Sequence, residues 1–327
     1  MMNKRLKQGT TFLLALALAF PLLTLPGARA ANAIDTDRKC SVAFNVSGEG
    51  NELTTTDIQV NLYKVADVDV SGNYTATKDF TGLDVSSVSA DDKDTAASKW
   101  ADRAKEAQEM LTKSVKKTAT VTLKAGTGSL ADLATGLYLV DTPEVVTTNY
   151  TYTFTPYLVS LPTNNYYSNG NDNWIYDLTA TNAIGLKHEE HARYGDLIIN
   201  KRLKNHNATT GKKATFVFQI EINKTETRIE SLDFEAAGDS SVTITKIPAG
   251  AKVKVTEVYS GASYKLTSAN DQPATIVATD RGSTNTPASV SFTNDVDDNM
   301  NGGYGVRNNF KLDENGQYQY TEPAAKN

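Results

Sequence analysis

The chain has almost no cysteine. Cys40 is the single one among 327 residues, so no disulfide can form within the molecule. Cys40 reads as a small apolar side chain at the start of a strand rather than a redox group. Histidine is scarce too, with only His188, His191 and His206. His188 and His191 flank Glu189 and Glu190, but in a polar segment read as a linker, which offers a metal no preorganised geometry. His206 lies in a turn of Asn, Thr and Gly. No nucleophile–His–acid arrangement and no phosphate loop is present, so neither turnover catalysis nor a cofactor is expected. Positive charge is not in excess: 33 basic residues face 38 acidic ones, a net charge of −5. Nothing favours nucleic acid or an anionic membrane as partner. Long apolar runs are missing, save Phe12–Leu25, which is too short and wrongly flanked for a permanent span.

That run has another reading. Lys4, Arg5 and Lys7 precede it, and Ala28-Arg29-Ala30 follows as a small-x-small cleavage site. Residues 1–30 are therefore expected to be a secretory signal, which places the mature chain outside the cell with no span left after its removal. An exported chain without disulfides needs another source of durability.

What is plentiful is Thr, Asn, Val and Tyr in short alternating runs, the composition of an all-β protein. Strand candidates in the first half are Ser41–Val46, Ile58–Val65, Ala119–Leu123, Leu137–Val140, Tyr150–Leu161 and Trp174–Thr181. Between them, Ala97, Trp100, Ala104, Ala107 and Leu111 recur at helical spacing, which predicts one amphipathic helix over about 90–117. The second half offers Gly195–Lys201, Thr215–Ile222, Ser241–Ile244, Val253–Glu257, Tyr264–Leu266, Ala274–Ala278 and Val290–Asn294, with a Pro248-Ala249-Gly250 turn. Short strands at this spacing argue for β-sandwiches. The expected plan is a first domain over 31–187, a linker over 188–194, a second domain over 195–297 and a tail over 298–327. In the tail, Val306–Leu312 and Gln317–Tyr320 flank Asn315-Gly316, which reads either as a frayed, partly ordered end or as a small hairpin that adds strands to a partner subunit's edge.

Three strands of the second domain each end an apolar row on a polar side chain. Leu197 and Ile199 share a face with Lys201, Val253 and Val255 with Glu257, and Val290 and Phe292 with Asn294. Polar groups aimed into a core are costly unless they pair or react. Burial disfavours the ammonium form of Lys201 and the ionised form of Glu257. A neutral amine could then attack the Asn294 carbonyl, polarised by a proton from Glu257, and release ammonia. The bland alternative is a Lys–Glu ion pair with Asn294 capping a strand end.

Lys in a first strand, Glu in a "VTE" strand and Asn in a terminal "FTN" strand resemble the isopeptide-forming immunoglobulin-like domains of Gram-positive surface proteins. These are the collagen-adhesin B-type (Cna-B) repeats and the streptococcal pilin backbone. The resemblance covers roughly 195–297 and implies a Lys201–Asn294 crosslink assisted by Glu257, formed once per molecule. The stretches Thr135–Val140, Tyr152–Pro162 and Trp174–Thr179 are similar to the N-terminal domain of sortase-assembled pilin shaft subunits. The resemblance implies tandem immunoglobulin-like β-sandwiches, the first carrying the inserted helix, in a fimbrial subunit at the cell surface or wall. Its partners would be other pilin subunits or a host-surface ligand.

The chain departs from that pattern in three places. Val46 stands where the first domain's crosslinking lysine belongs. Asp141 and Asn182 match the acid and acceptor but cannot react alone, and Lys64, facing with Val60 and Leu62, is the fallback amine. No crosslink is expected there. The Tyr-Pro-Lys motif that sortase joins to the next subunit is replaced by Thr181, Asn182 and Ala183, with Lys187 the nearest lysine. No Leu-Pro-x-Thr-Gly signal closes the chain, and Leu161-Pro162-Thr163-Asn164 is internal and lacks the glycine. The alternative is a freely secreted adhesin or carbohydrate-binding module, with Tyr166, Tyr167 and Trp174 as its ligand surface.

Overall fold

The computed structural model describes residues 33–46, 52–86, 88–89, 93–164, 173–179, 183–210, 213–261, 263–280 and 282–297, with short strands at 23–24, 309–312 and 318–321. The cleavage site expected at Ala28-Arg29-Ala30, Tyr166, Tyr167, Asn182 and the turn expected at Asn315-Gly316 lie outside the described residues. The chain divides into two compact units, Met1–His191 and Ala192–Asn327. Both are built of β-sheets, and the first adds one long helix.

In the first unit, β1 (Cys40–Asn45), β2 (Ile58–Val68), β3 (Tyr74–Ala76), α1 (Lys93–Glu109), β4 (Ala119–Leu123), β5 (Thr127–Leu133), β6 (Gly136–Asp141), β7 (Tyr150–Phe154), β8 (Tyr157–Leu161) and β9 (His188–Ala192) follow in order. One sheet runs β8-β6-β2-β3, with β4 also on β2. Opposite it, β1 pairs antiparallel with β5 and parallel with the short strands Asp177–Leu178 and Ile184–Gly185. Strand β6 is buried along nearly its whole length. Its two faces serve two cores: Tyr138 and Val140 pack with Val42, Phe44 and Leu62, while Leu137 and Leu139 pack with Ala96, Trp100, Ala104 and Ala107 of α1. A run apolar on both faces is what a strand covered on both sides requires.

Three expectations are corrected here. The helix ends at Glu109, not near 117: the last helical bond reaches Met110, Leu111 closes on Gln108 in a tighter turn, and the Thr112 and Ser114 hydroxyls bond each other at 2.7 Å. The stretch 150–161 is two strands in different sheets, because Pro156 donates no hydrogen bond and bars the residue before it from many conformations. Residues 188–192 form β9, which pairs with β7, instead of a loose linker. His188 is half-buried against the rings of Tyr152 (5.5 Å) and Phe154 (5.9 Å), which ties the segment down despite its charges.

The second unit is a sandwich of two four-stranded sheets. Its strands are β10 (Tyr194–Leu203), β11 (Ala214–Ile222), β12 (Glu226–Phe234), β13 (Gly238–Pro248), β14 (Lys252–Tyr259), β15 (Tyr264–Leu266), β16 (Gln272–Thr275) and β17 (Ala288–Val296). One sheet runs β13-β10-β17-β15 and the other β12-β11-β14-β16. Alternate residues of β10, β11, β14 and β17 supply the core, among them Leu197, Ile199, Phe216, Phe218, Val253, Val255, Val290 and Phe292. Strand β12 escapes a reading by hydrophobic pattern. It is an edge strand whose core-facing positions start with Arg228 and Glu230, opposite Ile220 and Phe218, before Leu232 and Phe234. Charges at such an edge discourage pairing with another chain. In the tail, Asn309–Leu312 pairs antiparallel with Tyr318–Thr321.

Candidate functional site

The site forms where polar ends of three strands meet inside the second unit. Strands β10 and β17 run parallel and adjacent, with Lys201 opposite Phe292 and Leu203 opposite Asn294. Residues in register point to the same face, so Lys201 and Asn294 both point inward, one inward step apart on neighbouring strands. Two residues of rise and one strand spacing make a diagonal on the order of 8 Å, which extended Lys and Asn side chains together span. Glu257 comes from the facing sheet, where it lies opposite Phe218. A register shift follows: Phe218 opposes Glu257 but Val217 opposes Tyr259, so Val258 is extra. This bulge ends the inward alternation after Glu257 and leaves Val258 and Tyr259 about half exposed.

All three side chains are shut off from water: relative exposure is 1% at Lys201, 5% at Glu257 and 0% at Asn294. They bond one another in a closed triangle. The Lys201 Nζ donates to Glu257 Oε2 and to Asn294 Oδ1. The Asn294 Nδ2 donates to Glu257 Oε1 at 2.6 Å. Aromatic rings wall the triangle. The Lys201 nitrogen lies 4.2 Å from the Phe216 ring centre and 5.6 Å from that of Phe218. Phe218 in turn meets Phe292 at 5.1 Å, and Phe216 meets Phe234 and Tyr264, each at 5.6 Å. Burial lowers the Lys201 pKa from its ordinary value, and the hydrogen bond and charge of Glu257 offset only part of that.

The bond between Glu257 and Asn294 is made at the nitrogen end of the amide. The carbonyl oxygen faces the lysine. Each Glu257 oxygen thus faces one of two nitrogens. Alternation along β11 carries the signal for the aromatic wall, since Phe216 and Phe218 obey the same period of two that turns Lys201 inward.

The other candidates do not assemble. Val46 is buried in the first core. Lys64 pairs with Asp67 at 2.5 Å, and Asp141 accepts a bond from Gln108 at 2.6 Å. Burial lowers the His188 pKa, and His191 stands 3.8 Å from Glu189. Among the described residues no group of three or more His, Cys, Asp or Glu is placed to hold a metal. No described helix is long and apolar enough to cross a membrane.

Residues 197–297 match a family described as a domain of unknown function, DUF5979. No curated protein matches the chain. Solved structures similar to it include the TIE protein of Bacillus anthracis, at 13% identity and a TM-score of 0.32 over 79% of this chain and 34% of that one. The Corynebacterium diphtheriae major pilin SpaA is similar at 14% identity and a TM-score of 0.29, over 72% of this chain and 68% of that one. The Actinomyces oris fimbrial protein FimP is similar at 12% identity and a TM-score of 0.30, over 81% and 99%. The chain thus spans about a third of the length of the TIE protein.

Proposed function

We propose that this chain is a structural cell-surface protein of pilin or fimbrial type, whose second unit is braced by an amide between Lys201 and Asn294. The carrying observation is the sealed triangle of amine, acid and carboxamide. Burial weakens the ammonium, so a proton passes from Lys201 Nζ to Glu257 Oε2 and leaves a neutral amine beside the carboxamide. The amine attacks the Asn294 side-chain carbonyl carbon. A new C–N bond forms, the bond to Nδ2 breaks, and the departing nitrogen leaves as ammonia. Glu257 bonds both nitrogens, so it can serve as the proton carrier between the entering and the leaving one. Ammonium, carboxylate and carboxamide become an amide, a carboxylic acid and ammonia, with atoms and charge balanced. Such a bond resists reducing agents, which suits an exported chain without disulfides.

Intact-mass spectrometry of the mature protein tests this. The mass should be one ammonia below that of the sequence, and Glu257→Ala should restore the full mass. A wild-type chain at full mass would end the proposal.

A further inference from the structure

Lys201 and Asn294 are held together by the ladder between adjacent strands, whereas Glu257 belongs to the other sheet. The distance between sheets is therefore the one coordinate of the triangle that no ladder sets. The chain crosses from one sheet to the other at this point. Leu266, the last residue of β15, lies opposite Asn294, and Gln272, the first of β16, lies opposite Val255, two residues before Glu257.

The crossing bonds to both sides. Toward the Asn294 strand, the Thr267 backbone N–H donates to the Thr293 carbonyl at 2.7 Å, and the Thr293 N–H donates to Ser268 Oγ at 3.2 Å. The Gln272 side chain accepts from the Ser291 N–H at 2.9 Å and donates to the Ser291 carbonyl, as a neighbouring strand would. Toward the Glu257 strand, Asn270 Oδ1 accepts the backbone N–H of Glu257 itself at 2.9 Å. Asp271 accepts from the Thr256 hydroxyl at 2.8 Å. The Asn270 bond falls two residues beyond the last β14–β16 pair, on the side of β14 away from β11. On that side the ladder stops at Val255 opposite Gln272, and the Asn270 side chain supplies the next acceptor along that same register.

We propose that this crossing is a strap that sets Glu257 against Asn294, with Asn270 and Gln272 as its positioning residues. The inference rests on the crosslinking reading given above. Neither residue touches the reacting atoms, and both act through the backbone of the strands that carry them. Small displacements of a proton carrier weigh heavily on rate, because the reaction needs aligned groups at hydrogen-bond distance. Asn270 is exposed and Gln272 half-buried, so cutting either side chain back leaves the core intact.

The test follows crosslinking in time. Mature chain is made by cell-free synthesis, translation is stopped, and intact mass is read at intervals. Asn270→Ala, Gln272→Ala and the double variant should lose ammonia about tenfold or more slowly than wild type, with unchanged far-ultraviolet circular dichroism. Asn270→Asp keeps an acceptor for the Glu257 N–H and should run within a few-fold of wild type, a rescue that general loosening of the unit would not produce. Wild-type rates in the single and double alanine variants overturn the strap, and so does Asn270→Asp as slow as Asn270→Ala. Should the double variant fail to fold, Gln272→Ala alone decides by the same criterion. A wild-type chain that never loses ammonia overturns the crosslink itself, an outcome distinct from the others.

Discussion

At the scale of single residues, burial moves chemistry in opposite directions for different groups. It weakens the charged form of Lys201, which favours a nucleophile. At Cys40 it raises the thiol from 9.0 to about 11, against small opposing pulls from Arg38 and Lys39. The folded chain thus keeps the Cys40 proton after the unfolded chain has lost it. The linked stability is constant below pH 9 and falls as pH rises from about 9 to about 11, where only the unfolded state releases a proton. Well below pH 9, alkylation of native Cys40 by iodoacetamide should be about 100-fold slower or more than in denatured protein, because only the thiolate reacts and burial leaves less of it. Comparable native and denatured rates would mean that the thiol is accessible and unshifted. The inward direction of Lys201, Glu257 and Asn294 was legible from alternation, since each closes a row of two apolar residues. Their meeting was not, because it depends on a parallel β10–β17 ladder and on which sheet carries β14. The contact of Glu257 with the amide nitrogen was not legible either, since period reports the face a side chain occupies and not the atom it reaches.

At the scale of elements, strands with clean alternation could be read and strands shaped by their neighbours could not. Strand β11 alternates buried and half-buried residues along its whole length, and its aromatic row is plain in the sequence. Strand β12 hides because the edge of its sheet turns charge toward the core side. Strand β9 hides because Tyr152 and Phe154, far away in sequence, cover His188. The first strand of the site depends on a close approach at its start. A Cβ on Gly195 would run into the Val277 carbonyl and the Ile276 side chain, and the β10–β13 register shifts just after it. Backbone atoms cannot retreat as a flexible side chain can. Gly195→Ala should therefore destabilise the second unit by about 1–3 kcal/mol, as overpacking does elsewhere. Thermal melting in the non-crosslinking Asn294→Ala background is the measurement. A melting temperature unchanged by the added methyl group would show that the Ile276–Val277 segment can move aside at no cost.

At the scale of the whole molecule, the amide would act on the unfolded chain more than on the folded one. Lys201 and Asn294 are 93 positions apart, and tying them closes a loop that spans about two thirds of the second unit. By analogy with a disulfide around a loop of that size, the constraint contributes about 4–5 kcal/mol. For a unit of this length that is on the order of 15–20 °C in melting temperature. Two variants that block the bond should nevertheless differ. Asn294→Ala keeps the Lys201–Glu257 pair and loses chiefly the loop constraint. Glu257→Ala loses the constraint and also strands a buried lysine without its partner, a further loss of about 3–5 kcal/mol. Calorimetry should therefore place the second unit's transition highest in wild type, lower in Asn294→Ala and lowest in Glu257→Ala. The loop lies wholly inside that unit, and the first unit has separate cores, so the first unit's transition should be the same in all three proteins. If wild type and Asn294→Ala melt together, the triangle is an ion pair with a bonded asparagine, and the second unit owes its stability to the packing of its aromatic core.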